Sequence, residues 1–400
     1  MKILIVSQYF WPENFKINDI AIGLKEKGHE VAIITGKPNY PSGKFSKGYS
    51  FLNKREETWN SIKIYRSALI PRGKGNSLNL FINYLSFVLF GSLRILFIKD
   101  SFDKILVFEP SPITVGIPAI IAKIKFKAPI YFWVQDLWPA SISAAGGIRN
   151  TFILNIFNQL TKVIYNHSHK ILLQSKAFIP YICNQGINND KLIYYPNTTE
   201  VYYQFKLPVI YLLNSMPKGF RVMFAGNIGE AQSFDTLLKA AKLLKEEGVT
   251  VNWLILGEGR LKVYVHKKII EYNLQDNFIL LGSFPSEMMP DYFSCADMLL
   301  VSLKDDPIFS MTIPSKIQSY LACGKPIITS LNGEGSRIVQ EAKAGFTSKA
   351  EDPIDLANNL KKALCLTQVE LKNLGENSRN YFEKEFERNQ LINRLEIILS

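Results

Sequence analysis

The sequence predicts an α/β protein made of two Rossmann-like domains, each built on its own parallel sheet. Three observations carry this reading. At 400 residues the chain is too long for one ordinary domain and fits two of about 200. A strand–helix–strand unit at the N-terminus recurs once, after residue 219. The net charge of +12 is also unevenly shared: 24 of the 47 basic residues and 12 of the 35 acidic ones fall in residues 1–205, leaving 23 of each for the rest. A basic first half is suited to something anionic, and a neutral second half to another task.

The first unit reads as strand Lys2–Ser7, loop Gln8–Phe15, helix Lys16–Lys27 and strand Glu30–Thr35. An apolar run too short for a helix gives way to a helical period, and Gly28 stops the helix. Downstream, FRVMFAGNIG, SFDTLLKAAKLLKEE and TVNWLILGEG repeat the order, with Gly248 as the stop. Further strands are expected at Lys104–Phe108, Ile130–Val134, Lys170–Gln174 and Lys191–Tyr195. The second series continues at Phe278–Leu281, Met298–Val301, Pro326–Thr329 and Gly345–Thr347. The stretch from Pro196 to Gly219, with Pro208 and Pro217, lies between the two series. Leu371–Ser400 reads as helix with a break near Asn380, so the expected domains are 1–205 and 215–382, with about 383–400 crossing back to the first.

Between Leu78 and Ile98 the only charge is Arg94, over roughly the 20 residues that would span a bilayer. Asn79, Asn83, Ser86, Gly91 and Ser92 interrupt it. A buried domain helix, a helix docked on a membrane interface and a true span are the three readings. Arg72, Lys74 and Lys99 flank it, and Lys123, Lys125 and Lys127 add to the basic character of this half. Cys183, Cys295, Cys323 and Cys365 form no CxxC, and a strand-like MKILIVSQYF stands where a signal peptide would, so a reduced, cytoplasmic protein is expected. Four histidines, none beside a carboxylate pair, speak against a histidine metal site.

Open parallel sheets bind ligands beyond the carboxyl ends of their strands. In the second series, Gly226-Asn227-Ile228-Gly229 follows a strand and opens a helix, and Gly257-Glu258-Gly259-Arg260 repeats this one strand later. No GxGxxG or GxxxxGK[ST] occurs, which removes the dinucleotide and P-loop fingerprints. Pro314 suits a helix start and places Lys316 in the first turn, where a cation opposes the helix dipole unless an anion meets it. Gly333, Glu334 and Gly335 open another helix after a strand. Together these loops predict a nucleotide-diphosphate site. Asp305 and Asp306, adjacent and before Pro307, read as turn residues, with no DxD pair to hold a metal ion.

SQYFWPE, WVQDLWPAS, QSKAFIPYICNQG, YYPN, AGNIGEAQSFDTLLKAA, LGEGR and PSKIQSYLACGKPIITSLNGEG, in this order, resemble the family 4 glycosyltransferases of GT-B architecture. Within these the chain is similar to bacterial O-antigen and capsule L-fucosamine transferases. The resemblance implies two Rossmann-like domains facing across an interdomain cleft, and retaining, metal-independent transfer of a sugar from a UDP-sugar donor without a further cofactor. The expected acceptor is a polyprenyl-diphosphate-linked saccharide, and the basic first half with its apolar Leu78–Ile98 segment predicts reversible docking on the anionic inner face of the cytoplasmic membrane. By the same matching, Gly226, Asn227, Gly229, Arg260, Pro314, Ser315, Lys316, Ser319, Gly333, Glu334 and Gly335 hold the donor, and Ser283 and Phe284 border its base. Asn14, Lys16 and Gln135 lie on the acceptor side, with Asp136 and Glu109 as catalytic candidates. The family's Glu-x7-Glu pattern falls on Met311 and Ser319, and Gln135 stands where many relatives carry histidine. A sugar-nucleotide 2-epimerase and a non-enzymatic basic membrane-binding protein are the competing readings; neither accounts for the second-half loops as well, and no RNA-binding motif is present.

Overall fold

The computed structural model describes residues 1–141 and 150–400. They form two compact units, residues 1–196 with 391–400 and residues 197–390. The first boundary lies earlier than the proline content of the connector suggests, because Asn197 and Thr199 are already tied to the second unit. Gln318 Nε2 donates to the Asn197 carbonyl at 2.6 Å, and the Thr199 and Ser319 hydroxyls lie 2.9 Å apart. The return falls at Leu391, later than 383.

In the first unit the strands are β1 (Lys2–Val6), β2 (Glu30–Thr35), β3 (Glu56–Trp59), β4 (Ile62–Arg66), β5 (Lys104–Glu109), β6 (Ile130–Val134), β7 (Lys170–Leu173) and β8 (Leu192–Tyr194). Their spatial order is β3-β4-β2-β1-β5-β6-β7-β8. Every pairing is parallel except β3 with β4. That hairpin escapes the periodicity reading; its two-residue turn, Asn60 (φ 47°) and Ser61 (φ 59°), is the left-handed pair that joins antiparallel strands. The helices are α1 (Lys16–Glu26), α2 (Ser77–Leu96), α3 (Gly116–Phe126), α4 (Thr151–His167) and α5 (Phe178–Asn184). Ile17, Ile20 and Leu24 of α1 and the returning C-terminal Leu391, Leu395 and Leu399 pack on Ile3, Ile33, Leu106 and Trp133 of the sheet. Helices α2 and α3 pack against each other and against strands of this sheet.

The second unit holds β9 (Arg221–Ala225), β10 (Asn252–Leu256), β11 (Phe278–Gly282), β12 (Met298–Ser302), β13 (Ile327–Ser330) and β14 (Gly345–Ser348), all parallel, in the order β11-β10-β9-β12-β13-β14. Its helices are α6 (Ile210–Ser215), α7 (Phe234–Glu246), α8 (Lys262–Glu271), α9 (Met289–Ser294), α10 (Pro307–Met311), α11 (Ser315–Ala322), α12 (Glu334–Glu341), α13 (Pro353–Leu364) and α14 (Gln368–Glu385). Leu237, Leu238 and Leu244 of α7 and Leu356 and Leu360 of α13 cover Val222, Phe224, Trp253 and Ile255. Helix α14 runs straight through Asn380; the expected break lies instead between Glu385 and Arg388, where α15 (Arg388–Leu399) begins. Two bonds hold α14 on its own unit, from Ser378 Oγ to the Lys325 carbonyl and from Arg379 Nη1 to the Ala322 carbonyl, each 2.7 Å. Glu387 accepts the Gln390 N–H at 2.8 Å at the start of α15.

Each sheet reverses its strand order once, between β1 and β5 in the first unit and between β9 and β12 in the second. These are the topological switch points, where loops diverge and leave a crevice at the carboxyl ends.

Helix α2 is inside out. Asn83, Ser86, Phe87, Gly91 and Ile95 are its buried residues, whereas Leu78 (67% exposed), Phe81 (55%), Leu85 (55%), Leu89 (54%) and Leu96 (55%) face outward. The polar residues that interrupt the apolar run have work inside: Asn83 accepts from Gln8 Nε2 at 2.8 Å and donates to the Ile70 carbonyl at 2.5 Å, and Ser86 Oγ accepts the Ile70 N–H at 2.9 Å. The reading of α2 as a wholly buried helix therefore fails.

Candidate active site

In the second unit the loops after β9, β10, β12 and β13 gather beyond the carboxyl ends of the sheet. Loop 226–229 is fastened backbone to backbone onto loop 257–261: Gly226 N donates to Leu256 O at 2.8 Å, Ile228 N to Glu258 O at 2.8 Å, and Leu261 N to Ile228 O at 3.0 Å. Only glycine permits this. A Cβ on Gly257 would lie 1.8 Å from the Gly226 carbonyl oxygen, and one on Gly259 would lie 2.2 Å from that of Ile228.

Lys316 enters this cradle from the first turn of α11. A Cβ on Gly226, whose φ is 144°, would stand 2.5 Å from the lysine Cε and 2.7 Å from its Nζ, so the glycine is what leaves room for the cation. Its Nζ sits 3.7 Å from the centre of the Phe224 ring, and no carboxylate among the described residues pairs with it. Desolvation without a counter-charge pushes its pKa down to about 7. A phosphate arriving here restores the charge and receives it in a site already stripped of water.

The remaining predicted donor residues divide. Asn227, Arg260 and Ser283 are exposed at the same end of the sheet, and Phe284 packs at a tilt against Tyr292 with centroids 4.5 Å apart. Pro314 is the residue preceding α11, and Ser315 is its first. Gly335 packs against Leu331, Ile317 and Pro314, and a Cβ on Gly333 would strike the Ser310 carbonyl at 1.9 Å. Glu334 is buried and held bidentately by Arg337, at 2.8 and 3.0 Å, so its charge is answered within the unit. The Ser319 hydroxyl is buried and bonded to Thr199 and to the Ser315 carbonyl, so its donor capacity is engaged within the unit. Asp306 caps α10 by accepting the Ile308 N–H at 2.8 Å, and Asp305 accepts from Asn332 Nδ2 at 2.9 Å.

In the first unit, Glu109 ends β5 and Asp136 follows β6. Glu109 is 0% exposed; its Oε2 accepts the Asp136 N–H at 3.5 Å, and its Oε1 has no partner among the described residues. Burial, then the Asp136 charge, raise its pKa well above the ordinary carboxylate value. A carboxyl sealed from solvent cannot meet an acceptor, and this corrects the sequence expectation: Glu109 holds the Asp136 N–H instead. Asp136 is only partly buried; desolvation raises its pKa to about 6 against a hydrogen bond from Ser111. It is ionised near neutrality and able to accept a proton. Asn14 is exposed, Lys16 opens α1, and the Gln135 carbonyl accepts from Gln174 Nε2 at 2.8 Å.

Sequence reasoning missed an aromatic and cationic cluster beside these carboxyls. Tyr9 stacks on Phe15 at 4.9 Å, Tyr40 lies within 6.0 Å of both rings, and Arg72 rests over Tyr40 at 5.2 Å while donating to the Tyr9 hydroxyl at 2.9 Å. The available signal was the run of aromatics in the loop after β1. Its partners come from loops far apart in sequence, which no local period reports.

Residues 213–381 match the family model described as glycosyl transferases group 1. The chain is 23% identical to the glycosyltransferase WbjE of Pseudomonas aeruginosa over 286 residues, 70% of this chain and 69% of that one. It is also 23% identical over 340 residues to WcaI of Escherichia coli K12, named as a colanic acid biosynthesis glycosyl transferase, covering 81% and 82% of the two chains. The fold matches that of Anabaena HepE in complex with UDP with a TM-score of 0.70 at 13% identity, over 100% of this chain and 99% of the other. The architecture is GT-B.

Proposed function

We propose that the enzyme is a retaining glycosyltransferase of surface polysaccharide synthesis, moving a sugar from a UDP-sugar to a saccharide carried on a polyprenyl diphosphate. The observation that carries this reading is Lys316, an unpaired, desolvated cation in a glycine cradle at the switch point of the second sheet. Relatives named for colanic acid synthesis and a UDP-bound structural neighbour support the process and the donor. The resemblance to fucosamine transferases favours an N-acetylated deoxyamino sugar.

In the proposed reaction the bond from the sugar C1 to the donor phosphate breaks, its electron pair leaving on UDP, while the acceptor oxygen bonds C1 on the same face. The acceptor proton passes to the departing phosphate oxygen. Lys316, Arg260 and the start of α11 stabilise the charge that develops there, which is where electrostatic catalysis acts, in place of a metal ion. Asp136 orients the acceptor hydroxyl and draws on its proton.

The outward apolar face of α2, with Ile124 of α3 and Phe152, Ile156 and Val163 of α4 also exposed, supports docking of the first unit on the inner face of the cytoplasmic membrane. The cationic contribution is narrower than composition suggests. Lys123 donates to the His167 carbonyl, and Lys125 to the Ile95, Leu96 and Ile98 carbonyls, so both finish helix ends. Lys74, Lys99 and Lys127 remain exposed, each contributing about 1 kcal/mol near an anionic surface.

Incubation with UDP-sugars, with and without a polyprenyl-diphosphate-linked saccharide, tests the reaction. UDP release that requires the acceptor is expected; release indifferent to it, or none with any UDP-sugar, contradicts the reading. Sedimentation with vesicles tests the docking, and equal binding to neutral and anionic lipid at every salt concentration would remove its electrostatic part.

A further inference from the structure

Arg72 is a cation built into the first unit and left without a counter-charge. No carboxylate among the described residues pairs with it. One donor, Nη1, goes to the Tyr9 hydroxyl at 2.9 Å, and the guanidinium plane is supported by the Tyr40 and Tyr9 rings at 5.2 and 5.7 Å. The Tyr9 phenol is hydrogen-bonded to Tyr84, whose pKa burial raises and on which the Asp136 charge also acts. Arg72, Tyr9, Tyr84 and Asp136 thus form one electrostatic neighbourhood at the carboxyl end of the sheet. The arginine is fixed from its backbone as well: its N–H donates to Asn39 Oδ1 at 3.0 Å, and the preceding Ile70 is held at both N–H and carbonyl by Ser86 and Asn83 of α2. Its remaining N–H donors have no acceptor among the described residues.

The same segment leads directly into α2. Gly73 packs on Asn79 of the first helical turn, where a Cβ would meet Nδ2 at 2.7 Å. From there the exposed stripe of Leu78, Phe81, Ile82 and Leu85 begins. A fork of unfilled donors at the head of an exposed apolar stripe matches an amphiphile whose anionic head is a phosphate ester and whose tail is a hydrocarbon. The basic cavity of about 500 Å³ lined by Lys123, Lys127, His169 and Lys191 is a weaker candidate, since Lys123 and Lys191 are committed to the carbonyls that end α4.

We propose that Arg72 binds the phosphate of the prenyl diphosphate that carries the acceptor, with the tail laid along α2. This rests on the lipid-linked acceptor of the proposed function and assigns its anionic head to a residue. Because the donor site also takes a diphosphate, the test is calorimetry at saturating UDP, with farnesyl diphosphate, farnesol and inorganic pyrophosphate as probes against the wild type, Arg72→Lys and Arg72→Ala. Farnesyl diphosphate should bind the wild type at least tenfold more tightly than either other probe, weaken at least tenfold in Arg72→Ala, and fall between in Arg72→Lys, with UDP affinity unchanged in all three. Equal binding of farnesyl diphosphate by wild type and Arg72→Ala overturns the proposal, as does pyrophosphate binding as tightly as the prenyl ester. A wild type that fails to bind UDP would count against the glycosyltransferase reading, while the farnesyl diphosphate series, repeated without UDP, would still decide the role of Arg72.

Discussion

The two switch points meet the same physical problem with opposite charges. In the second unit, burial strips water from a lysine and lowers its pKa to about 7; in the first, it strips water from an aspartate and raises its pKa to about 6. Desolvation is the leading cause in both, and each pKa moves toward neutrality. The lysine thereby gains most from an arriving phosphate, and the aspartate becomes a better proton acceptor than an exposed carboxylate. In the proposed reaction the second sheet would serve the leaving group and the first the nucleophile.

Removing the carboxylate should have the largest effect. Asp136→Asn is expected to fold normally and to lose about 10²-fold or more in turnover at saturating acceptor, and with it the acid limb near pH 6 in the wild-type kcat/KM profile. Retained turnover would leave Asp136 a structural residue. Lys316→Ala comes next: losing one charge-assisted contact should cost about 1.5–3 kcal/mol of UDP affinity, read by titration, with acceptor KM unchanged.

Glu109→Gln should change turnover little, because the native side chain is sealed from solvent and the amide can still accept the Asp136 N–H. Its effect should appear in stability. A folded pKa raised above the unfolded value of 4.5 gives a contribution that is complete below that pH and lost as pH rises toward the folded value. Thermal melting as pH rises above 4.5 should therefore show the wild type losing stability relative to the glutamine variant. Smallest of all, Ser319→Ala should cost about 1 kcal/mol of stability from the Thr199 pair and leave UDP affinity intact; a large loss of UDP affinity would return Ser319 to the donor site.

Much of this comparison was legible in the sequence, and unevenly. The parallel strands were readable because runs such as Met298–Val301 are apolar throughout and bounded by turns. Lys316 was readable because a cation in a first helical turn contradicts the dipole. The β3–β4 hairpin was not, since its strands alternate too briefly and its turn depends on two left-handed non-glycine residues. The outward face of α2 was undecidable from composition: Asn83 and Ser86 look like concessions to solvent, whereas they bond to Gln8 and Ile70 inside. The Arg72 cluster was invisible because its members meet only through the fold, and Glu109 looked catalytic until its burial showed that it supports the loop of Asp136.

The account stands on Lys316 being a cation waiting for an anion, and calorimetric titration of UDP at about pH 8 in buffers of different ionisation enthalpy measures this directly. A lysine with a free-state pKa of about 7 is mostly neutral there and must take up a proton when the diphosphate restores its charge. The account predicts proton uptake on binding in the wild type, affinity falling as pH rises above about 7, and both signatures lost in Lys316→Ala. Binding of equal affinity and equal proton balance in wild type and variant would contradict it.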